Sequence, residues 1–207
     1  MKNLNRIIKI LEKKFPNPQC ALIHETPWQL MVATILSAQC TDKRVNMVTP
    51  GLFEKFPTIS SFAFADQAEV EDAIKSTGFF RNKAKNIIAC AQKLQKEFSG
   101  TIPQELEQLI KLPGVGRKTG SVILGTAFGK SEGIVVDTHV KRLSFRMGFT
   151  GQKDPEKIEK DLMQIVPQKK WIAFSHLMIL HGRERCAARN PDCENCELAS
   201  LCPRCGC

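Results

Sequence analysis

Apolar residues recur along this chain every three or four positions, the repeat that puts them on one face of an α-helix. Leu4, Ile7, Ile8, Leu11 and Phe15 open the sequence in this way with lysines opposite, which predicts a first helix packed on a core. A basic membrane-surface helix or an organelle-targeting peptide would share the pattern, and the core reading is preferred to both. Helix punctuation then repeats. Thr26-Pro27 offers an N-cap and a first-turn proline before Trp28, Leu30, Met31, Ile35 and Leu36. Asp66 and Glu69 have the spacing of a capping box for a helix that Gly78 stops, and Asn82 begins another running through Ile87, Ile88 and Leu94 to Gly100. The segments Pro103 to Leu112, Lys118 to Phe128, Thr138 to Met147, Asp154-Pro155 to Val166 and Lys169 to Leu180 continue the series. Strand-like alternation is short and scarce, so the expected fold class is all-α with roughly ten helices. The turn Gly129-Lys130-Ser131-Glu132-Gly133 is a candidate boundary between two helical lobes, and a cleft between lobes is where a ligand usually sits.

Composition narrows the class. At 207 residues and 43% hydrophobic content the chain can bury a core in one domain or two compact lobes. Thirty Lys plus Arg against 21 Asp plus Glu leave a net charge of +9, a balance suited to a polyphosphate partner without requiring one. No 18-residue apolar run is present. Neither an unbroken apolar stretch nor a small-residue cleavage site marks MKNLNRIIKILEKKF as a secretion signal, so a reducing, cytoplasmic compartment is expected.

The segment Leu112-Pro113-Gly114-Val115-Gly116-Arg117-Lys118 carries the candidate chemistry. Pro113 ends one helix, the glycines permit a sharp turn, and the next helix presents its N-terminus, which makes a phosphate seat of main-chain N–H groups and helix dipole. A nucleotide-binding P-loop would need glycine directly before the lysine and another five residues earlier, where Arg117 and Leu112 stand. Lys118 could simply pair with phosphate. Its place in a helix first turn beside Arg117 disfavours the ammonium, however, and makes it a candidate nucleophilic amine. Asp137, ahead of Thr138-His139, is a good helix cap and the candidate second actor.

Four of the nine cysteines, Cys186, Cys193, Cys196 and Cys202, are separated by six, two and five residues, the spacing of a chain wrapped around one multi-thiolate metal site. Zinc and iron–sulfur both use four thiolates. The wider loops favour an iron–sulfur cluster without excluding zinc. Cys205 and Cys207 read as a frayed, unliganded tail, and Cys20, Cys40 and Cys90 as small buried apolar residues.

The run Leu36-Ser37-Ala38-Gln39-Cys40-Thr41-Asp42, the hairpin Leu112 to Thr119, Val136-Asp137-Thr138-His139, Leu180-His181-Gly182-Arg183 and the four-cysteine segment together resemble the endonuclease III family of base excision repair. The likeness runs nearly end to end in one order. It implies a DNA glycosylase and abasic-site lyase of helix-hairpin-helix fold, with domains at 21–131, carrying the hairpin, and at 1–20 plus 132–207, carrying a [4Fe–4S] loop. By that resemblance Lys118 attacks deoxyribose C1′ of an extruded damaged pyrimidine nucleotide and Asp137 stabilises the charge that develops. Gln39 and Phe79 fill the gap in the base stack, while Gly114, Val115, Gly116, Arg117 and His139 contact DNA. Cys186, Cys193, Cys196 and Cys202 hold the cluster, beside a basic run of Arg183, Arg185 and Arg189, and His24, His176 and His181 are structural. The expected partner is double-stranded DNA bearing damaged pyrimidines or abasic sites, acted on by a monomer. Two positions depart from the family: Phe79 stands where many relatives carry an aliphatic wedge, and Gly120 where alanine is commoner, a change expected to loosen the turn holding Lys118. An adenine-mismatch glycosylase relative and a non-catalytic, metal-stabilised DNA-binding protein are the alternatives; the hairpin lysine opposes both.

Overall fold

The structure is a computed structural model and describes residues 3–207. It is helical, with no strand among the described residues. The helices are α1 (Leu4–Lys14), α2 (Pro27–Leu36), α3 (Asp42–Lys55), α4 (Ile59–Ala63), α5 (Gln67–Ile74), α6 (Phe80–Phe98), α7 (Leu106–Leu109), α8 (Arg117–Phe128), α9 (Thr138–Arg146), α10 (Pro155–Ile165) and α11 (Trp171–Glu184). Short 3₁₀ turns at Lys75–Thr77 and Gln168–Lys170 precede α6 and α11. The chain forms two compact units, Ala21–Lys130 and Met1–Cys20 with Ser131–Cys207. None of the described helices is long and apolar enough to cross a membrane.

Local chemistry sets most helix starts. Thr26, Asp137 and Asp154 sit in extended backbone and accept hydrogen bonds from N–H groups two or three residues on, as good N-caps do. The capping box lies elsewhere than expected. Asp66 accepts from Ala68 and Glu69, but the Glu69 carboxylate pairs with Lys55 at 3.2 Å, and the reciprocal box forms between Thr58 and Ser61. The expected Pro103–Leu112 helix shrinks to α7: Glu105 is extended, and Pro113 disfavours helical backbone at Leu112. α6 starts at Phe80, two residues before Asn82, because Phe79 takes a left-handed conformation and its carbonyl accepts from Lys83 N–H.

In the first unit α2 is buried nearly all round, and Trp28 meets Phe62 of α4 edge-on at 5.4 Å. In the second, α1 buries Leu4, Ile7, Ile8 and Leu11 against Val140, Leu143, Phe174 and Leu177 of α9 and α11. Each such side chain contributes about 1.5–3 kcal/mol, more than the propensity of an isolated 11-residue helix could.

Candidate active site and cysteine loop

Gly114 carries the hairpin's turn at φ +78°, where a Cβ would stand 3.0 Å from Asn86 Cβ of α6, so both conformation and close approach call for glycine. Val115 departs from its expected part. Its side chain is buried, and its N–H donates to the Leu112 carbonyl at 3.1 Å, so it holds the turn. Gly116 caps α8 without a side chain and with open space around it. The first intrahelical bond of α8 runs from Gly120 N–H to Gly116 O, so the preceding N–H groups point out of the helix end, beside the exposed Arg117 and Lys118. Gly120 has a packing role: a Cβ there would lie 2.8 Å from Leu106 Cδ1 and 3.5 Å from Leu109 Cβ. Glycine thus lets α7 sit close on α8, a packing reason that stands beside its propensity cost.

Gln39 and Phe79 are both exposed and both left-handed, at φ 53° and 49°. Left-handed backbone at non-glycine residues costs on the order of 1–3 kcal/mol and persists where its surroundings over-determine it. Phe79 is 68% exposed, so packing does not explain an aromatic at this place.

In the other unit, Asp137 Oδ1 accepts from the His139 and Val140 N–H groups at 2.8 Å each, while Oδ2 lies 3.0 Å from His139 Nδ1. Asp137 is therefore a cap and also a partly buried carboxylate with its second oxygen on a histidine. The Leu180-His181-Gly182-Arg183 run acquires a reason here. A Cβ at Gly182 would stand 3.0 Å from His139 Cδ2 and from Arg142 Nη2, so glycine lets α9 and α11 meet beside Asp137.

All nine cysteines are free of disulfides, and Cys186, Cys193, Cys196 and Cys202 line one cavity floored by Met147 and Leu198. No three His, Cys, Asp or Glu groups among the described residues close on a point as a single-ion site requires. Arg146 Nη1 donates to Cys186 Sγ at 3.3 Å and Leu198 N–H to Cys196 Sγ at 3.4 Å, and burial pushes the Cys196 and Cys202 thiols up. Arg146 also holds the Ala187 and Ala188 carbonyls, and Arg142 holds those of Gly182 and Cys186. Both arginines, which sequence reasoning missed, rise from the helix that Asp137 caps; their partners lie some forty residues away, beyond any local signal. Arg185 is tied to Asp192 at 2.7 Å, so it braces the loop, while Arg183 and Arg189 are exposed. Cys207 also lines the cavity, and Cys205 N–H donates to Arg146 O, so the tail is seated. Cys90 is fully buried as expected; Cys20 and Cys40 are half-exposed. His181 is buried, with Nε2 3.7 Å from Cys196 Sγ.

Residues 32–168 match the family model described as HhH-GPD superfamily base excision DNA repair protein. The chain is 55% identical to endonuclease III of Synechocystis sp. over 95% of its own length and 90% of that protein's, and 43% identical to endonuclease III of Bacillus subtilis over 98% and 94%. Among solved structures it is similar to a non-covalent endonuclease III–DNA complex, with TM-score 0.93 and 42% identity over 98% of this chain and 95% of that one. A trapped endonuclease III–DNA covalent intermediate gives TM-score 0.92 and 41% identity over the same shares. A hairpin lysine at an open helix end, a capping aspartate and a four-thiol loop thus occur in a chain that is endonuclease III-like along nearly its whole length, and it belongs to the endonuclease III family of the HhH-GPD superfamily.

Proposed function

We propose that Lys118 and Asp137 are the catalytic pair of a DNA glycosylase and abasic-site lyase acting on oxidised or damaged pyrimidines in duplex DNA. The observation that carries this reading is the exposed Lys118 side chain in the first turn of α8, directly after an N-cap that offers no side chain of its own. An anionic backbone is attracted to such a helix end by its N–H groups and dipole, which brings the adjoining sugar to the amine. The neutral amine's lone pair attacks C1′; the C1′–N bond breaks and its electron pair leaves with the base, which takes up a proton. The adduct opens to a protonated imine. Loss of a C2′ proton then expels the 3′ phosphate by β-elimination, a step that imine formation makes accessible and direct attack by water would not. Asp137, held by two N–H donors, stabilises positive charge building on the sugar and assists proton transfer. Its capping bonds engage Oδ1 and leave Oδ2 with His139, so both uses fit one carboxylate.

Gln39 and Phe79 fill the gap left by the extruded nucleotide in this reading, because each is exposed and held in a conformation that presents it outward. The four loop cysteines hold a [4Fe–4S] cluster: the donors are soft thiols disposed around a cavity, with N–H groups aimed at two of the sulfurs. Bound there, the cluster supplies ligation that keeps the loop folded, and Arg142 and Arg146 fasten that loop to α9.

Incubation with duplex containing one oxidised pyrimidine, followed by borohydride, tests the assignment. The wild-type protein should form a covalent adduct and Lys118→Gln none, with damaged-duplex binding weakened by no more than about tenfold, since one charge is a minor share of a multi-phosphate interface. Wild-type cleavage by Lys118→Gln would overturn it.

A further inference from the structure

Among the described lysines Lys83 alone is buried, at 5% exposure. It lies early in α6, and its Nζ donates to two main-chain carbonyls, Leu36 O at 2.8 Å and Thr77 O at 2.9 Å. A buried ammonium needs compensation, and these oxygens supply it. Leu36 ends α2, where carbonyls lack intrahelical donors and the dipole is negative; Thr77 ends the 3₁₀ turn before Gly78. Burial pulls the Lys83 ammonium below the usual lysine range, with Cys40 acting the other way.

Each of these carbonyls stands just ahead of an exposed, left-handed residue. Gln39 comes three residues after Leu36, and Phe79 two after Thr77. One nitrogen therefore anchors the root of both loops from inside a single unit. No catalytic step proposed above uses this lysine, and it lies outside the five runs that carry the resemblance. We propose that Lys83 is a positioning residue: by tying the Leu36–Cys40 loop to the Thr77–Phe79 loop, it sets the spacing at which Gln39 and Phe79 enter the base stack together. This rests on the reading of those two residues as gap-fillers. A lysine that merely completed the core would matter equally on every substrate. A spacer of intercalating side chains matters most where a fully paired, stacked nucleotide must be extruded and least where stacking is already absent.

Lys83→Met keeps the length and apolar stem and removes the donors. Single-turnover excision would be measured on fully paired damaged duplex and on the same lesion in single-stranded DNA, with borohydride trapping on single-stranded abasic DNA. Misplacement of a positioned group by an ångström costs up to a hundredfold, so paired-duplex excision should fall about ten- to a hundredfold and the single-stranded reactions by less than about threefold. In a Phe79→Ala background Lys83→Met should add little to the difference between substrates, because one of the two side chains whose spacing it sets is gone. Equal loss on all substrates, or a full additional effect without Phe79, would overturn the proposal and leave Lys83 a core residue. Lys83→Arg, which keeps the charge and donors, covers the case in which methionine prevents folding: its loss should again be confined to paired duplex, and a uniform loss refutes. If Gln39→Ala and Phe79→Ala both leave the substrate difference intact, the gap-filling reading fails instead, which separates the two.

Discussion

Replacing Asp137 with asparagine separates its cap from its proposed catalytic use. One side-chain oxygen accepts from both His139 and Val140 N–H at 2.8 Å, and the amide oxygen of asparagine can accept the same pair. Asparagine ranks with aspartate as an N-cap, so what the helix loses is the interaction of a negative charge with its dipole, about 0.3–1 kcal/mol. For a chain of 207 residues that lowers Tm by no more than about 4 °C. The contact at 3.0 Å to His139 Nδ1 survives if the imidazole shifts its proton to the other nitrogen and accepts from the amide. Catalysis lacks such a substitute: a neutral amide cannot balance positive charge on the sugar, and removal of an electrostatic stabiliser lowers turnover about 10²–10³-fold. Asp137→Ala should show both defects, adding a cap loss of about 0.5–2 kcal/mol to a similar fall in rate. Thermal melting and single-turnover excision on paired duplex measure the two effects independently. A Tm close to wild type with an unchanged excision rate in Asp137→Asn would show that the carboxylate is only a cap.

Other contacts carry expectations of their own. Phe79→Ala should lower excision from paired damaged duplex by more than about tenfold relative to mismatched duplex, with little change in Tm; equal losses on both with a large fall in Tm would make it a core residue. Cys193→Ser should lower iron well below the about four atoms per chain expected of the intact protein, whereas Cys205→Ser, which keeps the backbone N–H bond to Arg146 O, should not; stoichiometric zinc in native protein would refute the cluster. Thiol labelling of native protein should spare Cys90, which is fully buried with its thiol pushed up to about 12, and reach it only on unfolding; labelling at the rate of Cys207 would contradict that burial. Gly182→Ala should destabilise by about 1–3 kcal/mol, since His139 and Arg142 atoms lie 3.0 Å from the added methyl, while Gly120→Ala should stay within about 1 kcal/mol of wild type, helix propensity offsetting a shift of Leu106; chemical denaturation of both checks the contrast.

Sequence reading succeeded where the deciding contact is short-range. Thr26, Asp137 and Asp154 act on N–H groups within three residues, and the apolar face of α1 is set by the helical repeat itself, so cap and core were legible from pattern alone. The hairpin was legible for the same reason, save that Val115 uses its N–H inside the turn. Motif likeness supplied the positions of Gln39 and Phe79. Their left-handed backbone was invisible, since neither residue type asks for it.

What a motif could not supply is what holds the motif in place. Lys83 reaches a carbonyl 47 residues away and Arg146 one 41 residues away, and in sequence each is an ordinary cation on a helix in a basic chain. Composition counts such residues as surface charge and as affinity for phosphate. The fold uses them otherwise: Lys83 is buried on carbonyls, and Arg142 and Arg146 are buried or half-buried on the cysteine loop. Part of the charge excess that suggests a polyanionic partner is therefore internal bracing. The DNA-facing share is to be sought among exposed cations such as Arg117, Lys118 and Arg189, where loss of a charge should reduce the salt dependence of binding by about one ion each. Substitution of Arg146 should instead disturb the loop and leave that slope nearly intact.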